Sequence, residues 1–216
     1  MSGKQIVFCG PDGSGKSTQA AKLKEHFDHP NINIPNILTR HPGATKLGKE
    51  LRHLLLHSDN EIDSTTEALL FAADNSAYIN QTLKPTLNKG VNVIADRNNF
   101  ISSLAYQIAS GVDRTHLDLV HQATGDCPRI DLLFIFLVPP EIAAGRLDKK
   151  KLDNFESRGD DYVSKVVSTY EKMTDGRISL ANFVNKDRII KIDGTGPIDF
   201  VFSRVVSQAN KILRKG

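Results

Sequence analysis

The sequence predicts an α/β fold, a parallel five-stranded sheet with helices on both faces, on three observations. Short β-branched or aromatic runs alternate along the chain with longer segments of helical period. The run from Leu132 to Val138 (LLFIFLV) is apolar at every position, the pattern of a strand covered on both faces. A glycine-rich turn joins the first strand pattern to the first helix pattern.

In order, Gln5–Cys9 (QIVFC) reads as a buried strand and Lys16–Phe27 as the helix after the turn. Asn36–Arg40 (NILTR) is a weaker strand, because Pro35 and Pro42 bracket it. Thr45–Leu56 carries Leu47, Leu51, Leu54 and Leu55 at helical spacing. Glu67–Lys84 places Ala68, Leu69, Phe71, Ala72 and Ile79 in another helix, which the pattern expects Pro85 to stop. Gly90 introduces a third strand, Val91–Ala95, and helices follow over Ser102–Ser110, ended by Gly111, and near Arg114–Thr124. After Leu132–Val138, Pro139-Pro140-Glu141 opens a helix, since proline is tolerated in a first turn. Arg188–Asp193 (RIIKID) is the last strand and Ile198–Arg214 the closing helix. No repeat, low-complexity tract or long linker breaks the pattern, so residues 1–216 are expected to form one domain.

Composition narrows the class. Of 216 residues, 39% are hydrophobic and 25% charged, the balance of a globular protein rather than a disordered or collagenous one. The longest apolar run is too short to span a bilayer. Met1-Ser-Gly-Lys-Gln leads into few apolar residues before Gly10-Pro11, unlike a signal peptide. Two cysteines, Cys9 and Cys127, provide no disulfide framework and fit a reducing cytosol. The net charge of +3 is too small to indicate a nucleic-acid partner, though it suits anionic ligands.

The segment Gly10-Pro11-Asp12-Gly13-Ser14-Gly15-Lys16-Ser17-Thr18 contains G-x-x-x-x-G-K-[ST] between the first strand and helix. Glycines let the backbone curl with its N–H groups aimed at phosphate oxygens, and the helix adds its positive end. Lys16 is expected on the β- and γ-phosphates, and the Ser17 hydroxyl on Mg²⁺. At average residue usage the four fixed positions match by chance in roughly one chain in a hundred of this length. The reading is therefore a nucleoside triphosphate site. A GTPase switch would need Asn-Lys-x-Asp after a strand, whereas Asn185-Lys186-Asp187-Arg188 has other spacing and reads as a turn before one. A motor would usually need more chain.

The remaining motifs resemble the thymidylate kinase family. Asp12-Gly-Ser-Gly-Lys-Ser-Thr18-Gln19 is similar to its loop, and Thr39-Arg40-His41-Pro42-Gly43-Ala44-Thr45 with Leu47-Gly48 and Arg52 to its T-R-E-P-G-G-T-x-x-G…R segment. Leu70-Phe71-Ala72-Ala73-Asp74 matches its F-A-A-D-R helix up to the last residue. Asp96-Arg97 followed by Ser102-Ser103-Leu104-Ala105-Tyr106-Gln107 resembles D-R-Y-x-x-S-x-x-A-Y-Q, and Asp153-Asn-Phe-Glu156 is similar to a closing D-R-x-E. The match is colinear from about residue 5 to 193.

The resemblance implies a phosphate-loop fold of the nucleoside monophosphate kinase type, ATP as donor, Mg²⁺, and dTMP as the acceptor most favoured. It also implies a cytoplasmic homodimer with no nucleic-acid or membrane partner. Catalytic roles fall on Lys16, Arg97, Asp96 and Asp12. Arg97, just past the third strand, where open α/β sheets place ligands, and Arg40 are expected on the acceptor phosphate. Asp96 joins Ser17 as a Mg²⁺ residue acting through water. Asp12, a carboxylate among phosphates, is expected to point away from them, toward a sugar 3′-hydroxyl or a metal-bound water. Phe71 would stack on the base, Tyr106 would exclude a 2′-hydroxyl, and Ser103 and Gln107 would read the base edge.

Three departures bear on the base. Asn75 stands where the family has the arginine that donates to thymine O4, and an amide both donates and accepts. His41 replaces a glutamate, and one extra residue with Asn98 in place of an aromatic lies before Ser102. Other pyrimidine deoxynucleotides, dUMP or a cytosine derivative in a viral or phage setting, thus remain as alternatives, with a non-enzymatic ATP-binding module more distant. A lid over about residues 146–160 would supply cations from Arg146, Lys149, Lys150, Lys151 and Arg158. Its lysines are poorer bidentate clamps than arginines.

Overall fold

The computed structural model describes residues 2–59, 61–147 and 153–213. Five parallel strands, β1 (Gln5–Cys9), β2 (Asn36–Arg40), β3 (Asn92–Asp96), β4 (Leu132–Leu137) and β5 (Ile189–Asp193), lie in the order β2-β3-β1-β4-β5. The three central strands are buried at every position, β4 being apolar throughout and β1 and β3 apolar in their middles, whereas β2 and β5 mix buried with exposed residues at the edges. The bracketing prolines of β2 are tolerated for that reason.

Side-chain alternation along the strands builds two cores. Ile6, Phe8, Phe134 and Phe136 face α1 (Lys16–Asp28) and α9 (Ile198–Leu213), packing on Leu23, Phe27 and Val205. Val7, Leu133 and Ile135 face the other side, against Ile101, Leu104, Val166 and Tyr170. Each fully buried side chain of this size contributes roughly 1.5–3 kcal/mol of apolar transfer free energy, so this double layer fixes the strand ends at which the site is built.

The helices of the second face are α2 (Lys46–His57), α3 (Ser64–Tyr78), α5 (Asn99–Ala109), α6 (Arg114–Ala123) and α8 (Asp160–Thr174); α4 (Lys84–Asn88) follows α3, and α7 (Pro140–Arg146) follows β4. Three expectations change. Pro85 does not stop its helix: a π-turn over Ile79–Leu83 follows α3 and leads into α4, whose first turn contains Pro85. The wider turn carries the hydrogen-bond ladder past the missing N–H, and a first-turn proline needs no donor. Helix α5 starts at Asn99 because Asn98, within the extra residue's stretch, caps it, its side chain accepting from Phe100 N at 3.0 Å and Ile101 N at 3.2 Å. Helix α8 is missing from the sequence reading, which assigned no element between residues 147 and 188. Tyr162, Val166, Tyr170 and Met173 are buried on one side of it at helical spacing, with Asp160 and Asp161 in its first turn.

No helix among the described residues is long and apolar enough to cross a membrane. The cysteines are free, Cys9 buried and Cys127 half-buried. Helices α3 and α6 share an exposed apolar patch with Leu69 and Leu119, 54% and 58% exposed.

His121, on α6, is 6% exposed and packs edge-on against Phe100 with ring centroids 4.6 Å apart. Burial, only partly opposed by Asp118, pushes its pKa down to about 4. The folded state thus disfavours the imidazolium that the unfolded chain takes up below about pH 6.5. Stability is full above that pH and is lost as pH falls toward about 4, by up to roughly 3 kcal/mol. His121→Phe is therefore expected to lose less Tm than the parent between pH 7 and 4.5 in calorimetry. Equal losses would contradict the assignment.

Candidate active site

The loop from β1 to α1 is shaped by its glycines. Gly10 (φ +142°) and Gly13 (φ +75°) occupy backbone that side chains rarely adopt, and a Cβ would meet Phe136 O at 2.3 Å and Ala143 O at 2.4 Å respectively. Lys16, the first residue of α1, is 4% exposed; its Nζ donates to Pro11 O at 3.2 Å and Asp12 Oδ1 at 3.0 Å. Ser17 and Thr18 stand exposed in the same turn.

Arg97 enters the same space from the end of β3. Strands β1 and β3 are neighbours, and Arg97 N donates to Phe8 O at 2.8 Å. Its backbone is left-handed (φ +72°), and its guanidinium donates to Gly10 O at 3.1 Å and pairs with the Asp12 carboxylate. Tyr106 OH donates to Asp12 Oδ2 at 3.0 Å, and its ring lies 5.3 Å from the guanidinium carbon. Asp12 joins Lys16, Arg97 and Tyr106, because two buried positive groups need a counter-charge.

Electrostatics follow from this knot. Burial works against the Asp12 carboxylate, but the Arg97 guanidinium and Lys16 ammonium outweigh it and hold its pKa well below the usual range. Burial lowers the pKa of Lys16, and repulsion from Arg97 lowers it further against the pull of Asp12 and Asp96. Burial also disfavours charged Arg97, yet Asp12 raises its pKa.

A cavity opens beside Asp12, with Arg40, Arg52 and Arg97 in its wall together with Phe71, Tyr106 and Asn99. Arg40 is mostly exposed, its Nε 3.9 Å from Asp96 Oδ2. Arg52, half-buried, donates from Nη1 to Pro42 O at 3.1 Å. Burial lowers its pKa, and Arg40 and Arg97 lower it further by repulsion, the signature of converging cations that an anion would relieve. Arg52 belongs to the Thr39–Arg52 motif, and the fold turns it into the wall of this cavity.

Further in, Phe71 is 7% exposed, with its ring 5.8 Å from that of Phe155. Asn75, Ser103 and Gln107 are buried, and Asn75 Nδ2, Ser103 Oγ and Gln107 Oε1 have no hydrogen-bond partner among the described residues. Asp74 accepts from Gly43 N at 3.2 Å and from Asn99 Nδ2, with His41 Nδ1 3.9 Å away. His41 is buried edge-on against Tyr78, and its peptide bond to Pro42 is cis.

Of the expected lid cations, Arg146 donates to Gly13 O at 3.2 Å and Gly194 O at 3.0 Å, tying the phosphate loop to the turn after β5. Lys149, Lys150 and Lys151 lie outside the described residues. Arg158 is not at the phosphate loop: it pairs with Glu67 and lies over the rings of Phe155 and Tyr162, because buried Glu67 needs a counter-charge. Asp96 is 6% exposed and its Oδ1 has no partner among the described residues. One carboxylate and one hydroxyl fit Mg²⁺, which keeps several waters and takes the rest of its shell from substrate phosphates.

A family model described as thymidylate kinase matches residues 8–203. Among curated proteins, a thymidylate kinase of Thermosipho africanus is 35% identical over 97% of this chain and 98% of its own length. One of Caldicellulosiruptor saccharolyticus is 33% identical over 100% of both. The crystal structure of thymidylate kinase from Ehrlichia chaffeensis superposes with a TM-score of 0.74 at 26% identity, covering 97% of this chain and 100% of that one.

Proposed function

The chain belongs to the thymidylate kinase family and transfers a phosphoryl group from ATP to dTMP; from that premise we propose how its residues divide the work. The observation that carries the proposal is the sharing of one carboxylate, Asp12, by Lys16 from the phosphate loop and Arg97 from β3. It supports a single cleft in which donor and acceptor phosphates meet end to end.

In this reading Gly10 to Thr18 cradle the triphosphate of ATP, with Lys16 on the β- and γ-phosphates and Arg146 beside the loop. Arg97, Arg40 and Arg52 hold the acceptor phosphate. That group, whose second pKa is about 6, is largely a dianion at pH 7 and needs no protein base. The acceptor oxygen attacks the γ-phosphorus in line, and the bond from that phosphorus to the β–γ bridging oxygen breaks, so that ADP leaves with the electron pair and dTDP is formed. Positioning and the charge of Lys16 and Arg97 then carry the rate. Ser17 and Asp96 would hold Mg²⁺, which when bound supplies further neutralisation of phosphate charge. Asp12 takes the 3′-hydroxyl or a metal-bound water and keeps both cations in register. Phe71 stacks on the base, Tyr106 stands against a 2′-hydroxyl, and Asn75, Ser103 and Gln107 read the base edge.

A coupled ADP-release assay tests the reading. ADP release is expected to require dTMP and to cease when EDTA removes the divalent cation. Release independent of dTMP would mean hydrolysis, and an undiminished rate in EDTA would remove the Mg²⁺ assignment. We further propose a homodimer through the Leu69–Leu119 patch of α3 and α6, rather than through α5, whose residues 100–105 are buried in the core. Sedimentation is expected to give twice the chain mass, and one chain mass after Leu119→Asp; an unchanged dimer would refute that face.

A further inference from the structure

Helices α3 and α5 carry facing polar stripes. Glu67 meets Gln107 at one end and Asp74 meets Asn99 at the other, so the helices run in opposite directions with Phe71 and Ser103 between. Gln107 is fully buried; its Nε2 donates to Glu67 Oε2 at 3.2 Å, and its Oε1 has no hydrogen-bond partner among the described residues. A buried polar atom left unpaired calls for a partner, which a bound ligand can supply.

A carboxamide is ambivalent, because turning it over exchanges donor for acceptor. Thymine and uracil present N3–H beside a carbonyl, whereas cytosine presents a bare N3 beside an exocyclic amine. Which base fits depends on which end of Gln107 faces it, and Glu67 decides that. An ionised carboxylate only accepts, so it takes Nε2 and repels Oε1. Glu67 is 3% exposed, and its other oxygen pairs with Arg158. Arg158 in turn donates to Ser110 Oγ at 3.1 Å, with its guanidinium carbon 4.4 Å from the Phe155 ring centroid. Arg158 thus fixes the direction of the Glu67 carboxylate.

We infer that Glu67, locked by Arg158, is a positioning residue that holds the Gln107 carboxamide with Oε1 toward the acceptor base, selecting pyrimidines that carry an N3–H over cytosine. The inference rests on the reading above, which puts the base against α3 and α5. It also supplies the repulsive element that selectivity needs: the flip that suits cytosine would press Oε1 onto the Glu67 carboxylate.

The test measures kcat and KM for dTMP, dUMP and dCMP with the full chain, Glu67→Gln, Glu67→Asp and the double variant Glu67→Gln/Arg158→Met. The double variant removes both charges, so that no ion is left buried alone if the single change fails to fold. Glutamine at 67 accepts or donates, and so frees Gln107 to turn over. The parent is expected to prefer dTMP and dUMP to dCMP by about a hundredfold or more in kcat/KM. Glu67→Gln should raise KM for dTMP about tenfold with kcat within about threefold, and narrow the dTMP-to-dCMP ratio at least about tenfold. Glu67→Asp, which keeps the charge, should keep the ratio. A purely structural role would lower all three substrates in parallel; an unchanged ratio in a folded glutamine-bearing variant overturns the inference. So does a parent that accepts dCMP as readily as dTMP. A parent with no nucleotide-dependent ADP release would instead overturn the reading beneath it.

Discussion

Lys16→Ala is expected to lower kcat by about a thousandfold or more while leaving the melting temperature unchanged or slightly raised. The rate loss follows from the ammonium's position: it heads α1 inside the phosphate loop, where developing charge on the transferred group is met in a protected site. A thousandfold corresponds to roughly 4 kcal/mol of transition-state stabilisation, the size found when one preorganised donor is removed from such a site. The stability sign follows from the electrostatics. Burial and Arg97 both press against the Lys16 charge, and Asp12 keeps Arg97 as a partner when the lysine is gone. Calorimetry and the coupled assay on the same preparation check both halves. A variant within tenfold of the parent rate would remove the phosphate-loop assignment.

Arg97→Gly is expected to be comparably damaging to activity, with the loss visible in kcat/KM for dTMP. The guanidinium fork reaches Gly10 O, the Asp12 carboxylate and the face of Tyr106. A fall of about a thousandfold is expected, and Arg97→Lys should recover only part of it because an ammonium cannot make the bidentate contact. Glycine separates chemistry from folding. At φ +72° an L side chain strains the backbone, so Arg97→Gly should be more stable than Arg97→Ala by about 1 kcal/mol while equally inactive. Equal stability of the two would mean that the strain is relieved elsewhere. Retained dTMP turnover would mean that Arg40 and Arg52 suffice for the acceptor phosphate.

The sequence displays whatever neighbouring residues settle among themselves. QIVFC, NILTR and LLFIFLV are strands where their apolar runs placed them, and the β1–α1 turn carries its glycines at the left-handed positions. Pro85 misled because a proline shows only what a normal α-helix cannot do, and the π-turn ahead of it depends on how Tyr78, Ile79 and Leu83 pack into the core. Helix α8 had a legible period in Tyr162, Val166, Tyr170 and Met173, but the neighbouring charge run Asp148 to Arg158 drew the reading toward a lid.

By itself, then, the sequence determined the sheet, the phosphate loop and the residue types that chemistry on phosphates requires, since each depends on residues a few positions apart. The tertiary structure alone decided the pairings. Asp12 and Arg97 are 85 positions apart, Asp12 and Tyr106 are 94, and Glu67 and Arg158 are 91. It also decided that Arg52 joins Arg40 and Arg97 in the wall of the cavity beside Asp12 and that Arg158 pairs with Glu67. The reason is that a buried charge takes its partner from whichever element the packed sheet brings beside it, and no local pattern encodes that choice.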